Sequence, residues 1–248
     1  MPPRQTVQRA FNVIHVLEAL DGAGPAELAD HLDIPKSTAH DYLQTLERIG
    51  YVTNEAGTYR IGFRFLGLGE RMKQRNRYFQ IAKPSINALA ADTGETVNVG
   101  IEEGGEWVML HVVRGDHSLN EGSYSGLRTP LHTHAAGKVV LANLPAERRE
   151  EIVEDGLTRV TDETITDPAR MRSALERIRE NGYAVDADQQ VLGMGVVAFP
   201  ISIDDSVVGS VAIVCPSGRL EDDQYRDELI RKVRETAETI VINYRYGS

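Results

Sequence analysis

Near the start of the chain Val7, Ala10, Phe11, Ile14, Leu17 and Leu20 fall at three- and four-residue steps, which predicts an amphipathic helix over residues 6–21 with these side chains inward. Asp21-Gly22-Ala23-Gly24 stops it, because glycine accepts the left-handed geometry of a helix end. Pro25 suits the first turn of a second helix reaching Leu32, with Ala26, Leu28, Ala29 and Leu32 on its apolar face. After the short connection Asp33-Ile34-Pro35, a third helix runs from Lys36 to about Ile49. Ala39, Tyr42, Leu43, Leu46 and Ile49 form its inner face, and the remaining side chains are polar. Gly50 ends it. Tyr51-Val52-Thr53 and Thr58-Tyr59-Arg60-Ile61 then flank the turn Asn54-Glu55-Ala56-Gly57, a two-stranded wing.

Two compact helices joined by a tight turn, the second with a polar outer face, make a helix-turn-helix pattern. The outer face offers Ser37, Thr38, His40, Asp41 and Gln44 as candidates for base edges, while Lys36, Arg9 and Arg60 are candidates for phosphates. Small hydrogen-bonding residues at the helix start approach the groove closely, and the positive end of the helix dipole favours a phosphate there. A small helical bundle with no nucleic-acid role is the competing reading; the attached hairpin and the Lys-Ser-Thr start weigh against it.

Residues 63–77 mix apolar positions with a basic run and predict a linker helix, whose charges suit either phosphates or a solvated face. From Tyr78 onward helices and strands alternate. A helix is expected over Phe79 to Asp92, with Pro84 in its first turn or at a kink. Strands follow at Thr96–Ile101 and Trp107–Val113, then helices near 134–155, broken at Pro145, and near 168–180. A strand pair at Val196–Ile203 and Val207–Val214, joined across Asp204-Asp205, and a closing helix from Asp222 to Ile242 complete an α+β order with an antiparallel sheet.

Charge is divided unevenly along this order. The net charge is −10, yet residues 1–78 hold ten Lys/Arg against nine Asp/Glu, and the remainder 17 against 28. A near-neutral helix-turn-helix segment beside an acidic remainder fits DNA binding; the acidic excess fits a solubility requirement or a salty cytoplasm equally well. Hydrophobic residues are 41% of the chain and no apolar run has membrane-spanning length. The start Met1-Pro2-Pro3-Arg4-Gln5-Thr6 lacks the apolar segment of a signal peptide, so a cytoplasmic location is expected. The single cysteine, Cys215, excludes an internal disulfide framework or a multi-cysteine zinc module, and no cofactor is called for.

His132 and His134 stand in a His-x-His arrangement that would suit two metal ligands, but no spacing elsewhere completes a site. Gly137-Lys138 is not a phosphate loop, since the first glycine of that motif would fall at His132. Thr133-His134-Ala135-Ala136-Gly137-Lys138 opens a helix whose small side chains leave backbone N–H groups available to a carboxylate. An acid–base or metal-dependent enzyme centred on His132, His134 and Asp186 is the alternative from another class, and a DNA-binding protein without any ligand is a third.

Three ordered segments carry a resemblance. Ile34-Pro35-Lys36-Ser37-Thr38-Ala39-His40-Asp41-Tyr42-Leu43-Gln44-Thr45-Leu46 resembles the helix-turn-helix of the IclR (isocitrate lyase regulator) family of transcription factors, together with Arg9-Ala10-Phe11 and Tyr59-Arg60-Ile61-Gly62. Leu131-His132-Thr133-His134-Ala135-Ala136-Gly137-Lys138 is similar to a first signature of that family's sensing domain. Gly182-Tyr183-Ala184-Val185-Asp186, with Gly193 and Ala198-Phe199-Pro200-Ile201, is similar to a second. The resemblance implies a winged helix-turn-helix over residues 1–62, a linker helix over 63–77 that helps pair subunits, and a GAF/PAS-like effector-binding domain over 78–248. It further implies a homodimer or dimer of dimers on a near-palindromic double-stranded operator, responding to a small-molecule effector. Carried over by position, the effector contacts are Ala135, Ala136, Asp186, Val196, Ala212 and Val214. Ala212 and Val214 stand where the family often has hydroxyl residues, and its acidic pair after Gly-Tyr-Ala-Val-Asp is partly replaced here, giving Ala187-Asp188-Gln189-Gln190. Both departures imply a less polar or differently shaped pocket and count against a glyoxylate-like ligand, leaving a sugar acid, an aromatic acid and an apolar effector open.

Overall fold

The structure is a computed structural model that describes residues 5–118 and 122–247. The chain divides into two compact units, Met1–Lys73 and Gln74–Ser248. Residues 1–4, part of the N-terminal stretch considered above, lie outside the described residues. Among the described residues no helix is long and apolar enough to cross a membrane.

The first unit contains α1 (Gln5–Ala19), α2 (Pro25–Leu32), α3 (Lys36–Arg48), the hairpin β1 (Val52–Glu55) and β2 (Thr58–Ile61), and most of α4 (Arg64–Arg75). Its core joins Val13, Ile14 and Leu17 of α1 to Leu28, Ala29, Ala39, Leu43, Leu46, Val52 and Tyr59. The inward face of α1 differs from the expected one. Val13 is buried, whereas Val7 and Phe11 are more than half exposed. The reason is geometric: α1 must meet α2, α3 and β2 from one side, and Val13, Ile14 and Leu17 share that side. Ala23 pairs with Tyr59 through two backbone hydrogen bonds, so the segment after α1 adds a third short rung to the wing. The wing turn is also tighter than expected. Asn54 and Glu55 belong to β1, and only Ala56 and Gly57 turn, both at positive φ (51° and 93°). Such a two-residue turn matches the twist of its strands. Arg64 of α4 donates to the Ile49 carbonyl at 2.9 Å and its guanidinium lies over the Tyr51 ring, which anchors the start of α4 to the end of α3.

In the second unit α5 (Arg77–Thr93) begins earlier than expected, because Asn76 caps it by accepting from the Phe79 N–H at 2.9 Å. Pro84 therefore lies in the helix interior, where its exposed position leaves the orphaned carbonyl of the preceding turn facing water. Then come β3 (Thr96–Glu103), β4 (Glu106–Val113), β5 (Arg128–Pro130), α6 (Ala135–Asn143), α7 (Ala146–Asp155), α8 (Pro168–Asn181), β6 (Ala184–Ala187), β7 (Met194–Ile203), β8 (Ser206–Pro216) and α9 (Asp223–Tyr246). The six strands form one antiparallel sheet in the order β5-β4-β3-β8-β7-β6. Neither β5 nor β6 was expected as a strand, since each is only three or four residues long and too short to display a period.

Both faces of this sheet are covered, and strand alternation assigns each residue to one of them. Val197, Phe199 and Ile201 of β7 and Val211, Ile213 and Cys215 of β8 pack with α5 and α9. Val196 and Ala198, with Ala212 and Val214, point the other way, toward Ala135, Ala136, Val139 and Val140 of α6. Coverage on both sides explains why β7 and β8 read as unbroken apolar runs rather than as alternating ones.

The hairpin between β7 and β8 turns on Asp204 and Asp205, both at positive φ (49° and 63°). Aspartate tolerates this geometry, but glycine at the second position suits it better. Asp205→Gly is expected to raise the unfolding free energy by about 0.5 kcal/mol; a urea melt that shows a loss instead would contradict this account of the turn.

Candidate functional site

Two surfaces or cavities gather the residues singled out above. The first lies on α3. Ala39, Leu43 and Leu46 are buried against the first unit's core, and Lys36, Ser37, His40, Asp41 and Gln44 are exposed on the opposite side, with Thr38 half-buried between them. The residue before α3 is Pro35, which supplies no side-chain cap, and the first turn holds no acidic residue. The N–H groups of that turn are thus left to solvent or to a bound anion, at the positive end of the helix dipole. Arg9 is exposed on α1. Arg60 is exposed on β2, in a 3.5 Å ion pair with Glu55 that solvent screens heavily. One expected feature is altered: Ile49 is 46% exposed rather than inward, because α3 ends one residue earlier.

The second lies in the other unit, between the sheet and α6. A small, partly open cavity of about 50 Å³ is walled on its polar side by Asn98, Ser123, Thr129, His134 and Gln190. Its apolar wall is made by Trp107, Met109, Leu127, Val191, Met194, Val196 and Val214. Trp107 lies across Gly100, where an added Cβ would come within 2.2 Å of the indole; only glycine at that strand position lets the ring settle. The indole N–H donates to the Ser210 hydroxyl at 2.9 Å, and the ring meets His134 edge to face with centroids 4.9 Å apart.

His134 organises the cavity floor. It is the N-cap of α6, and its Nδ1 accepts from the Gly137 N–H at 3.3 Å. The proton must then sit on Nε2, which donates to the Thr129 hydroxyl at 2.9 Å. Burial, reinforced by the positive Lys138 and by His132, pushes this imidazole down to about 3, so it is uncharged at neutral pH. His132 is lowered too, chiefly by burial, and its Nε2–H donates to the Thr158 carbonyl at 2.9 Å. The two imidazoles therefore serve different partners rather than converging, and among the described residues no three His, Cys, Asp or Glu groups gather as metal ligands.

Beside the cavity the chain supplies its own anion. Lys138 of α6, 3% exposed, donates to the Asp186 carboxylate at 3.1 Å and to the Gln189 side chain. Burial raises Asp186 above the usual carboxylate range, while Lys138 and the Ala135 N–H pull it back. The turn that the sequence offers to a carboxylate is thus already served at Gly137 by His134, with the Asp186 carboxylate close enough to Ala135 for its N–H to lower that group. Of the six positions expected to touch an effector, Val196 and Val214 line the cavity; Ala135, Ala136, Ala212 and Asp186 are buried in the layer behind it. Asn98, Trp107 and Thr129 were missed. Asn98 carried a readable signal, a lone amide inside the apolar strand Val97-Asn98-Val99.

An unfolded histidine titrates near 6.5 while folded His134 does so near 3, so the unfolded chain takes up the proton first as pH falls. This contribution to stability is complete above pH 6.5 and is lost toward pH 3. Replacing His134 by Asn keeps a capping side chain and removes the titration. Between pH 6 and 4 the wild type should lose about 1.4 kcal/mol per pH unit more than His134→Asn, read by urea unfolding. Parallel pH profiles would contradict the uncharged assignment.

Comparison with known proteins places the whole of this arrangement. Residues 6–56 match the family described as the IclR helix-turn-helix domain, and residues 72–242 match that described as bacterial transcriptional regulator IclR C-terminal. The HTH-type transcriptional repressor AllR of Salmonella typhi is 32% identical over 243 residues, covering 95% of this chain and 88% of the repressor. The crystal structure of Thermotoga maritima IclR superposes with a TM-score of 0.82 at 27% identity, over 98% of this chain and 99% of that one. An IclR homolog of Microbacterium hydrocarbonoxydans, solved in complex with 4-hydroxybenzoate, shares the fold at a TM-score of 0.79 and 24% identity, over 90% and 92% of the two chains. A DNA-binding regulator that responds to a small molecule, and not an enzyme built on His132, His134 and Asp186, is what these matches support. With both family matches spanning most of its length, this chain belongs to the IclR family of transcriptional regulators.

Proposed function

We propose that this regulator acts in the cytoplasm as a homodimer or dimer of dimers on a near-palindromic operator, and that occupancy of the cavity beneath Trp107 alters its hold on DNA. In this reading residues 1–62 read DNA, residues 63–77 connect and help pair the subunits, and residues 78–248 sense the effector. The observation that carries it is the two-sidedness of α3: an apolar side fixed in the core and, opposite, an exposed polar side that begins at the uncapped helix start. A dimer presents that helix twice, so its half-sites repeat with about one helical turn of DNA between them.

Lys36 at the start of α3, Arg9 on α1 and Arg60 on the wing are assigned to phosphates. Ser37, Thr38, His40, Asp41 and Gln44 are assigned to base edges, with Thr38, being half-buried, the least able to move. Val196 and Val214 touch the effector, and Ala135, Ala136, Ala212 and Asp186 shape the wall behind it. The capture of 4-hydroxybenzoate by one protein of this fold supports a small organic molecule as the occupant.

Salt titration of operator binding tests the assignment on α3. Lys36→Ala is expected to weaken binding to every sequence and to make the slope of log K against log salt shallower by about 1. Gln44→Ala should instead cost about 1–3 kcal/mol at particular base pairs and little elsewhere. Unchanged non-specific affinity for Lys36→Ala, or a uniform loss for Gln44→Ala, would overturn these roles.

A further inference from the structure

Trp107 and Tyr78 reach the same residue from opposite faces of the second unit's sheet. On the α6 side the indole N–H of Trp107, whose ring walls the cavity, donates to the Ser210 hydroxyl at 2.9 Å. On the α5 side the Tyr78 hydroxyl donates to the Ser210 carbonyl at 2.7 Å. Ser210 is fully buried, a hydroxyl inside the otherwise apolar residues 208–215 of β8. The sheet carries no side chains where the two rings lie. Gly100 of β3 pairs with Ser210, and a Cβ there would run into the Trp107 indole. A Cβ on Gly209, which points to the other face, would run into the Tyr78 ring and the Gly100 carbonyl. Each ring therefore rests directly on backbone, with only the sheet between them.

Trp107, Ser210 and Tyr78 are each no more than 3% exposed. Water is not at hand to replace a lost bond, so breaking either one strands a buried donor. A displacement of the indole is met either by loss of its bond or by a shift of Ser210, and a shift of Ser210 is felt by Tyr78. Tyr78 in turn follows residues 63–77 directly, in the first turn of α5. That junction is braced. Asn76 caps α5 at the Phe79 N–H, and Gln80 Nε2 donates to the Gln74 carbonyl at 3.1 Å. Arg77 donates to the Tyr244 carbonyl at 2.6 Å and lies over that ring. Movement of Tyr78 is delivered to the last turn of α4 rather than absorbed in a loose joint.

We infer that Ser210 and Tyr78 are positioning residues that couple the cavity to DNA binding. Trp107 passes occupancy to the Ser210 hydroxyl, and the Ser210 carbonyl passes it to Tyr78 at the root of the linker. This rests on the reading of the cavity beneath Trp107 as the effector site and adds the route by which that site communicates. Such coupling is reciprocal: if occupancy of the cavity alters the hold on DNA, bound DNA alters the cavity in equal measure.

Reciprocity makes the test independent of the effector's identity. Trp107 is the chain's single tryptophan, so its emission reports the cavity wall alone. The probe is a duplex selected from random sequences by the full-length wild-type protein. It is titrated into the full-length wild type, Tyr78→Phe, Ser210→Ala and the double variant at a temperature where each is folded. Ser210→Ala removes the hydroxyl that Trp107 uses and keeps the carbonyl. Tyr78→Phe removes the bond on the far face and leaves the indole's own contact in place. Saturating duplex is expected to shift Trp107 emission in the wild type, and each single variant to reduce that shift at least twofold from its own duplex-free emission. Each should also change the duplex Kd at least threefold in the same direction, with the double variant moving no further than the larger single one. A lower Tm with emission shift and Kd unchanged would make both bonds structural and overturn the inference. So would additive changes in Kd. An emission shift of wild-type size in both single variants would mean a different route, leaving the cavity as the effector site. No shift in the wild type would sink the cavity reading along with the route.

Discussion

The buried contact between Lys138 and Asp186 sets the terms for everything around it. Two ionised groups, each less than 5% exposed, stand 3.1 Å apart where α6 meets β6. Their desolvation is tolerable only because each has the other, with Gln189 taking a further Lys138 proton, while the Asp186 Oδ1 is left buried without a partner. The pair fixes α6 at its N-terminal end and brings a carboxylate to the positive pole of that helix from within the chain. The space between α6 and the sheet is in consequence left without a free charge. His134 fits the same logic: burial, reinforced by the lysine, drives the imidazole to its neutral form, and in that form it caps α6 with one nitrogen and steadies Thr129 with the other.

The sheet supplies the second constraint. Strands β3, β7 and β8 are buried on both faces, so every side chain is committed either to the α5/α9 layer or to the α6 layer. The first layer is continuous packing. The second must accommodate Trp107, which needs the missing Cβ of Gly100, and the ring and Met109 on β4 with Val196 and Val214 leave the cavity between them. In the first unit an analogous division operates on a smaller scale. The core claims one side of α3, and what remains outside is the polar set suited to a DNA groove.

Much of this was legible in the residues. Long periodic helices, the Asp-Asp turn and the paired strands β3–β4 and β7–β8 all stand close to where their spacing puts them. The inward face of α1 was misread because Val7 and Phe11 extend the same helical stripe as Ile14, and only the tertiary fit decides that the core stops at Val13. Strands β5 and β6 were missed for want of length. Position-by-position resemblance named six positions that the structure buries on the α6 side of the sheet or against α6, but the cavity wall depends on contacts across five strands. A side chain such as Thr129, brought in by the three-residue β5, leaves no pattern in the sequence. The partnership of Lys138 with Asp186, 48 residues apart, is equally invisible to local spacing.

A double-mutant cycle on that pair tests the organising interaction most directly. Lys138→Met and Asp186→Asn should each cost about 3–5 kcal/mol in urea unfolding, since each strands one charge in the interior, and the double variant should cost far less than their sum. Additive losses in the double variant would contradict the account, because they would mean that the two groups are not each other's counter-charge and that a carboxylate remains free to act beside the cavity.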